Sequence, residues 1–82
     1  AEAMTAPAHV LGGCLRERAG RAAAALDDFD RARDVADANA HRISIGAHWV
    51  KAQAGRARVL PRVGRRDEAE RALADGRALL QA

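Results

Sequence analysis

Apolar residues recur three and four positions apart through four stretches of this chain, and a glycine or a short polar run separates each stretch from the next. The last boundary is the sharpest. From Val59 the pattern runs into Gly64, restarts at Asp67, and continues through Ala69, Ala72, Leu73, Gly76, Leu79 and Leu80. This predicts one helix closing, a glycine turn, and another helix opening. Asp67 stands where a helix cap is expected, with Glu70 three residues on in a capping-box arrangement and Glu68 favourable near the positive helix end.

The earlier stretches read the same way. Thr5-Ala6-Pro7 has the form of a helix start, because proline is tolerated in the first turn. The first helix then runs to about Ala19 with an apolar stripe of Val10, Leu11, Cys14 and Leu15. Gly12 and Gly13 would weaken its middle unless another backbone packs closely there. Gly20 turns the chain into a second helix over about Arg21 to Ala38. Ala22, Ala25, Phe29, Ala32 and Ala36 share one of its faces, flanked by Leu26 and Val35, while Asp27, Asp30, Asp34 and Asp37 make an acidic back. Asp27 and Arg31 are in the favourable order for a pair one turn apart.

Asn39-Ala40-His41-Arg42 reads as a loop, with asparagine a usual residue where a helix ends. The third helix is expected from Ser44, as its cap, to about Val63, burying Ile45, Trp49, Ala52, Val59, Leu60 and Val63. Arg56 interrupts that stripe and needs a buried or half-buried partner, such as an aspartate of the second helix. Pro61 should kink or shorten the helix near its end, since it removes one hydrogen bond and crowds the preceding turn.

Shifting the chain by 44 residues superimposes Gly20 on Gly64, Ala25 on Ala69, Phe29 on Leu73, Ala32 on Gly76, and Val35-Ala36 on Leu79-Leu80. For the first helix of each pair an offset of 45 reads better, with Gly12 over Ala57 and Leu15 over Leu60, which makes one turn a residue longer. The fold class expected is all-α: two stacked antiparallel helix hairpins, residues 8–38 and 44–81, within a single module spanning 1–82 or a piece of a longer array. Small, bulky, glycine, small, bulky and small positions over Ala57 to Gly76 resemble the tetratricopeptide-repeat family. The wording RVGRRDEAERALADGRALL is similar to the helical-repeat regions of large bacterial regulators that couple an ATPase module to a LuxR-type DNA-binding domain. That resemblance implies a scaffold for protein contacts in signalling or transcription regulation, with no chemistry of its own.

Composition sharpens this picture. Of 82 residues, 22 are alanine and only 17 are large apolar side chains, so the core is thin and close helix packing must do more than bulk. Helix-forming alanine and arginine dominate, and aromatic residues are 2 % of the chain. A single cysteine, Cys14, excludes an internal disulfide and fits a reducing cytoplasm. No run approaches the ~18 apolar residues of a membrane span.

Charge is unevenly spread. Residues 1–40 carry seven acids and five bases, and residues 41–82 four acids and nine bases, so the halves are −2 and +5. On the third helix His48, Lys51, Arg58 and Arg62 share a face roughly 120° from the buried stripe. With Arg65 and Arg66 they form a basic patch suited to an acidic segment of a protein partner. The competing reading is an ordinary solvated face. A nucleic-acid partner ranks below a protein one: the helix that would enter a groove opens with Asp67, Glu68 and Glu70, and aromatic residues to stack on bases are lacking. A third reading pairs the acidic back of the second helix with this basic stripe in a homo-oligomer.

Catalysis has little footing. Cys14 and His9 are five apart and do not share a helix face, so the thiol reads as a core residue. His41 and His48 could share one but lack a third ligand, so no metal site is expected, and no glycine loop points to a phosphate cofactor.

Overall fold

A computed structural model describes residues 5–39 and 45–81, the side chains of 45 and 79–81 excepted. Four helices follow in order: α1 Thr5–Arg18, α2 Ala22–Ala38, α3 Ile45–Val59, and α4 Arg66–Gln81, with a 3-10 turn at Leu60–Val63 between the last two. No strand occurs among the described residues. The fold is all-α, and each helix packs on the next in sequence, with α1 also touching α3. The Ser44 cap, His41, and the packing of Ile45, Leu79 and Leu80 lie outside what is described.

The two turns are built alike to the hydrogen bond. Gly20 and Gly64 take the left-handed conformation at φ 77° and 78°. Arg21 N–H donates to the Arg16 carbonyl and Arg65 N–H to the Leu60 carbonyl, both at 2.9 Å, while Gly20 N–H reaches Glu17 at 3.0 Å and Gly64 N–H reaches Pro61 at 3.2 Å. This is the Schellman pattern, which satisfies the last carbonyls of a helix and needs a left-handed residue that glycine supplies without strain. Beyond each turn the first helical bond also repeats, Ala25 to Arg21 and Ala69 to Arg65. Every one of these bonds is displaced by 44 residues from its counterpart. The offset of 45 expected for α1 and α3 is therefore corrected: the turns are equally long, and Leu60 corresponds to Arg16. Leu15, 57 % exposed, is not the equivalent of the fully buried Leu60.

Pro61 acts as its chemistry requires. The α-helical ladder stops at Val59 and the chain tightens into the 3-10 turn, with proline in its first positions. At the other side of the turn, α4 starts at Arg66, so Asp67 and Glu68 lie inside the first turn and Asp67 is not ahead of it. The residue in the capping position is Arg65, whose carbonyl accepts the Ala69 bond at 3.3 Å and whose guanidinium reaches Glu68. Carboxylates in that first turn still favour the positive helix end.

Phe29 is the hub of the core. It is fully buried with Ala25, Leu26, Val59, Leu60 and Ala69, while Cys14, Ala22 and Val63 close the edges. Gly13 and Gly55 both sit against its ring at Cδ1, Cε1 and Cζ, which explains one of the paired glycines of α1: a β-carbon on Gly13 would stand 2.7 Å from Cε1. A second cluster joins Ala6, Val35 and Ala36, with Trp49 half-buried against it. The Trp49 indole N–H donates to Asp37 Oδ1 at 2.7 Å, giving the ring's polar edge a partner.

Arg56 has the partner its position demands. Its Nε donates to Asp30 Oδ1 of α2 at 2.6 Å, and Nη1 to Gln53 Oε1 at 2.7 Å. Asp28, in no expected role, is also buried and is paired with Arg16 of α1. Asn39 ends α2 as expected, with its side-chain amide donating to the Val35 carbonyl at 2.8 Å.

Three expected core positions are not covered. Leu11 is 61 % exposed, Leu15 57 %, and Leu73 46 %. The buried residues of α1 are Ala6 and Gly13, with Val10 and Cys14 half-buried, so the helix turns its leucines outward. Leu73 is uncovered because α4 packs only on α3 and the 3-10 turn among the described residues. Its repeat equivalent, Phe29, lies between two hairpins.

Candidate functional site

The parallel helices α1 and α3 end side by side, and their last turns frame an open cleft of about 610 Å³ lined by Cys14, Glu17, Arg18, Gly20, Arg58 and Arg62. The Schellman turn at Gly20 brings Arg18 to the rim, and the 3-10 turn carries Arg62 beyond the end of the α-helical ladder. Three guanidinium groups therefore surround one carboxylate.

That carboxylate is gripped. Arg58 Nε donates to Glu17 Oε2 at 2.9 Å and Nη2 to Oε1 at 3.0 Å, a two-pronged pair between residues 41 positions apart. The hydrogen bonds from Arg58 hold the Glu17 carboxyl below its usual range against the opposing effect of burial; Arg58, Arg62 and Arg18 add charge attraction. In return Glu17 pushes the Arg58 guanidinium further up. Arg58 also lies over the Phe29 ring, 5.8 Å from its centroid. Arg58 is thus a structural strut between the hairpins, and the charges left on the rim are Arg18 and Arg62, both exposed.

The six cationic candidates do not form one surface. Arg58 and Arg62 meet at this cleft, and Lys51 is exposed further back along α3. His48 is half-buried, and its Nδ1 is enclosed without a hydrogen-bond partner among the described residues. Arg65 and Arg66 line a separate cleft with Asp67, Glu68 and Arg71. There Arg65 is tied to Glu68, whose carboxyl it lowers by hydrogen bonding. Arg18 belongs to the site although the sequence reading passed over it: its place depends on α1 and α3 ending together, which no local spacing reports.

Gly20, Ala25, Phe29 and Ala32 stand 44 residues ahead of Gly64, Ala69, Leu73 and Gly76, at matching distances from the starts of α2 and α4, but Leu73 is exposed and Gly76 half-buried where Phe29 and Ala32 are buried. Cys14 packs at the edge of the core. Among the described residues no group of three or more His, Cys, Asp or Glu is placed to hold a metal ion, and no helix is long and apolar enough to cross a membrane. Comparison of the chain with family models, with curated proteins and with solved structures gave no match.

Proposed function

We propose that this chain is a non-catalytic protein-interaction module whose basic cleft, rimmed by Arg18 and Arg62, takes an acidic segment of a protein partner. The observation that carries it is the arrangement around Glu17: Arg58 is paired with that carboxylate through Nε and Nη2, and two further arginines beside it are exposed to solvent. Guanidinium groups suit this task because their planar forks match carboxylates two bonds at a time. The open cleft suits a surface-bound peptide segment better than a small substrate that must be enclosed.

In this reading the scaffold is a tetratricopeptide-like repeat, with which the matching turns agree, and the sequence resemblance over Ala57 to Gly76 adds a cytoplasmic place in a bacterial signalling or transcriptional regulator. In this reading the module needs no cofactor. The second reading, a basic nucleic-acid-binding protein, draws on the same arginines. Titration with a labelled Asp/Glu-rich peptide and, separately, with duplex DNA separates the two. The expected result is peptide binding at moderate salt that Arg62→Glu and Arg18→Glu each weaken about tenfold, at a cost typical of a lost charge-assisted contact. DNA binding with a steep salt dependence and no peptide binding would overturn the proposal in favour of the second reading.

A further inference from the structure

The 44-residue relation between the hairpins also says what the two ends of the molecule are shaped to meet. Inside the chain, the second hairpin seats on the first through Ala52, Gly55 and Val59 of α3, all buried, with Phe29 of α2 pressed against Gly55. Moving back 44 residues places Ala8, Leu11 and Leu15 of α1 at those same positions, and all three are exposed. Moving Phe29 forward by 44 gives Leu73, 46 % exposed on α4. The two uncovered apolar patches therefore stand at the positions of a contact the molecule already makes once, with Leu11 in the place of Gly55 and the smaller Leu73 in the place of Phe29.

The charges agree. In the internal contact, Arg33 of α2 shares a cleft with Arg71 and Asp75 of α4. Forward by 44, Arg33 becomes Arg77; back by 44, Arg71 and Asp75 become Asp27 and Arg31. Arg66, Glu70 and Arg77 lie seven before, three before and four after Leu73, on its side of α4, whereas the side of α2 away from Phe29 carries Asp27, Arg31 and Asp34. All of these are exposed. The charges around Leu73 are thus net positive and those on this side of α2 net negative, and the net charges of the halves, +5 and −2, also have opposite sign.

We infer that the occupant of these faces is a second copy of this chain, stacked head to tail, with Leu73 of one copy against Leu11 and Leu15 of the next and Arg77 beside the next copy's Asp27. Such a contact uses different surfaces on the two partners, so it does not close into a two-fold dimer and instead continues from copy to copy. The surface adjoins the cleft at Arg18, three residues after Leu15 on the same face of α1, but includes none of the cleft's other lining residues, so Arg62→Glu tests the peptide reading independently of the assembly.

Sedimentation of the whole chain across a wide concentration range tests it. The expected result is growth beyond a dimer, abolished in Leu73→Glu and equally in the Leu11→Glu, Leu15→Glu double variant, each retaining full helicity because these side chains are exposed. The two variants mixed still have one intact patch each, and they should form a one-to-one complex that stops there. The apparent dissociation constant of wild type should rise about tenfold or more with Leu73→Ala, since burial of a leucine is lost at each contact. A monomer at every concentration would overturn the inference, as would association that survives Leu73→Glu, which would mean pairing through α1 alone.

Discussion

The ring of Phe29 lies so close over Gly55 that a β-carbon built on the glycine would stand 2.4 Å from Cε1 and 2.6 Å from Cζ. Phe29 is itself 0 % exposed, so its ring cannot swing aside into solvent. This contact sets how near α3 approaches α2. It substitutes proximity for bulk in a chain that has little bulk to bury, and dispersion between tightly packed atoms is lost quickly once they separate.

Gly55→Ala is therefore expected to destabilise the fold even though alanine is the better helix former. Overpacking costs about 1–3 kcal/mol, and the propensity gain returns about 1 kcal/mol. The net loss should be about 1 kcal/mol or somewhat more, read from the urea midpoint by circular dichroism. Gly76, where a β-carbon meets nothing within 4 Å, is the control: Gly76→Ala should stabilise. Equal gains at both sites would mean that Phe29 does not occupy the Gly55 surface.

Gly20 and Gly64 make the opposite case, where space is free and the backbone is the constraint. A β-carbon at either meets nothing within 4 Å, yet both sit at positive φ. Alanine at each should cost about 1–2 kcal/mol, the penalty of a left-handed conformation. Because the turns share their hydrogen bonds, the two losses should be similar and should add in the double variant. Thermal unfolding of the three variants checks this, and a loss at only one glycine would break the equivalence of the turns.

What could be read ahead of the coordinates, and what could not, divides along a physical line. The faces of α2, the two glycine turns and the acidic partner of Arg56 all follow from local spacing plus the rule that a buried charge must be paired, whereas the neighbour that crowds Gly13 is the Phe29 ring and not the backbone expected there. Leu11, Leu15 and Leu73 did not follow, because periodicity says which side of a helix is apolar and not whether another helix is there to cover it. The basic stripe failed similarly. Spacing groups Arg58 with Lys51 and Arg62, but Glu17 reaches Arg58 across 41 residues and pairs its charge, although the side chain stays half exposed. The cap lies two positions ahead of Asp67 because helix starts are set by turn geometry, here the Arg65 carbonyl bond, as much as by the side chain best suited to cap.

Arg56→Met should be the most damaging single change on α3. Arg56 is only 9 % exposed, and its loss leaves Asp30 and Gln53 facing an apolar replacement. Breaking a buried pair from one side costs about 3–5 kcal/mol, and the partial exposure of Asp30, 32 % at its side chain, puts the expected value at the low end of that range. Adding Asp30→Leu should recover much of the loss, because it removes the stranded charge. A double variant as unstable as Arg56→Met alone would show that the pair itself, and not the orphaned aspartate, is what matters. Chemical denaturation of the four chains in the cycle decides between them.

The Glu17 and Arg58 pair predicts how acid weakens the fold. Glu17 has its folded-state pKa lowered from 4.5, chiefly by the Arg58 hydrogen bonds. A depressed carboxylate contributes stability that is fully present above its unfolded value and is lost as pH falls through the folded one. The stabilising effect should thus be intact at neutral pH and fade as pH drops below about 4.5, the ordinary glutamate value. Two variants separate it from the contact of Arg58 with Phe29, which does not titrate. Glu17→Gln should lose the acid-sensitive part and keep the ring contact, so its urea midpoint falls below wild type at pH 7 and converges with it in acid. Arg58→Met removes both, so a residual deficit should persist after Glu17 is protonated. If the gap between wild type and Glu17→Gln were the same at both ends of the pH range, the carboxylate's charge would not be what joins α1 to α3.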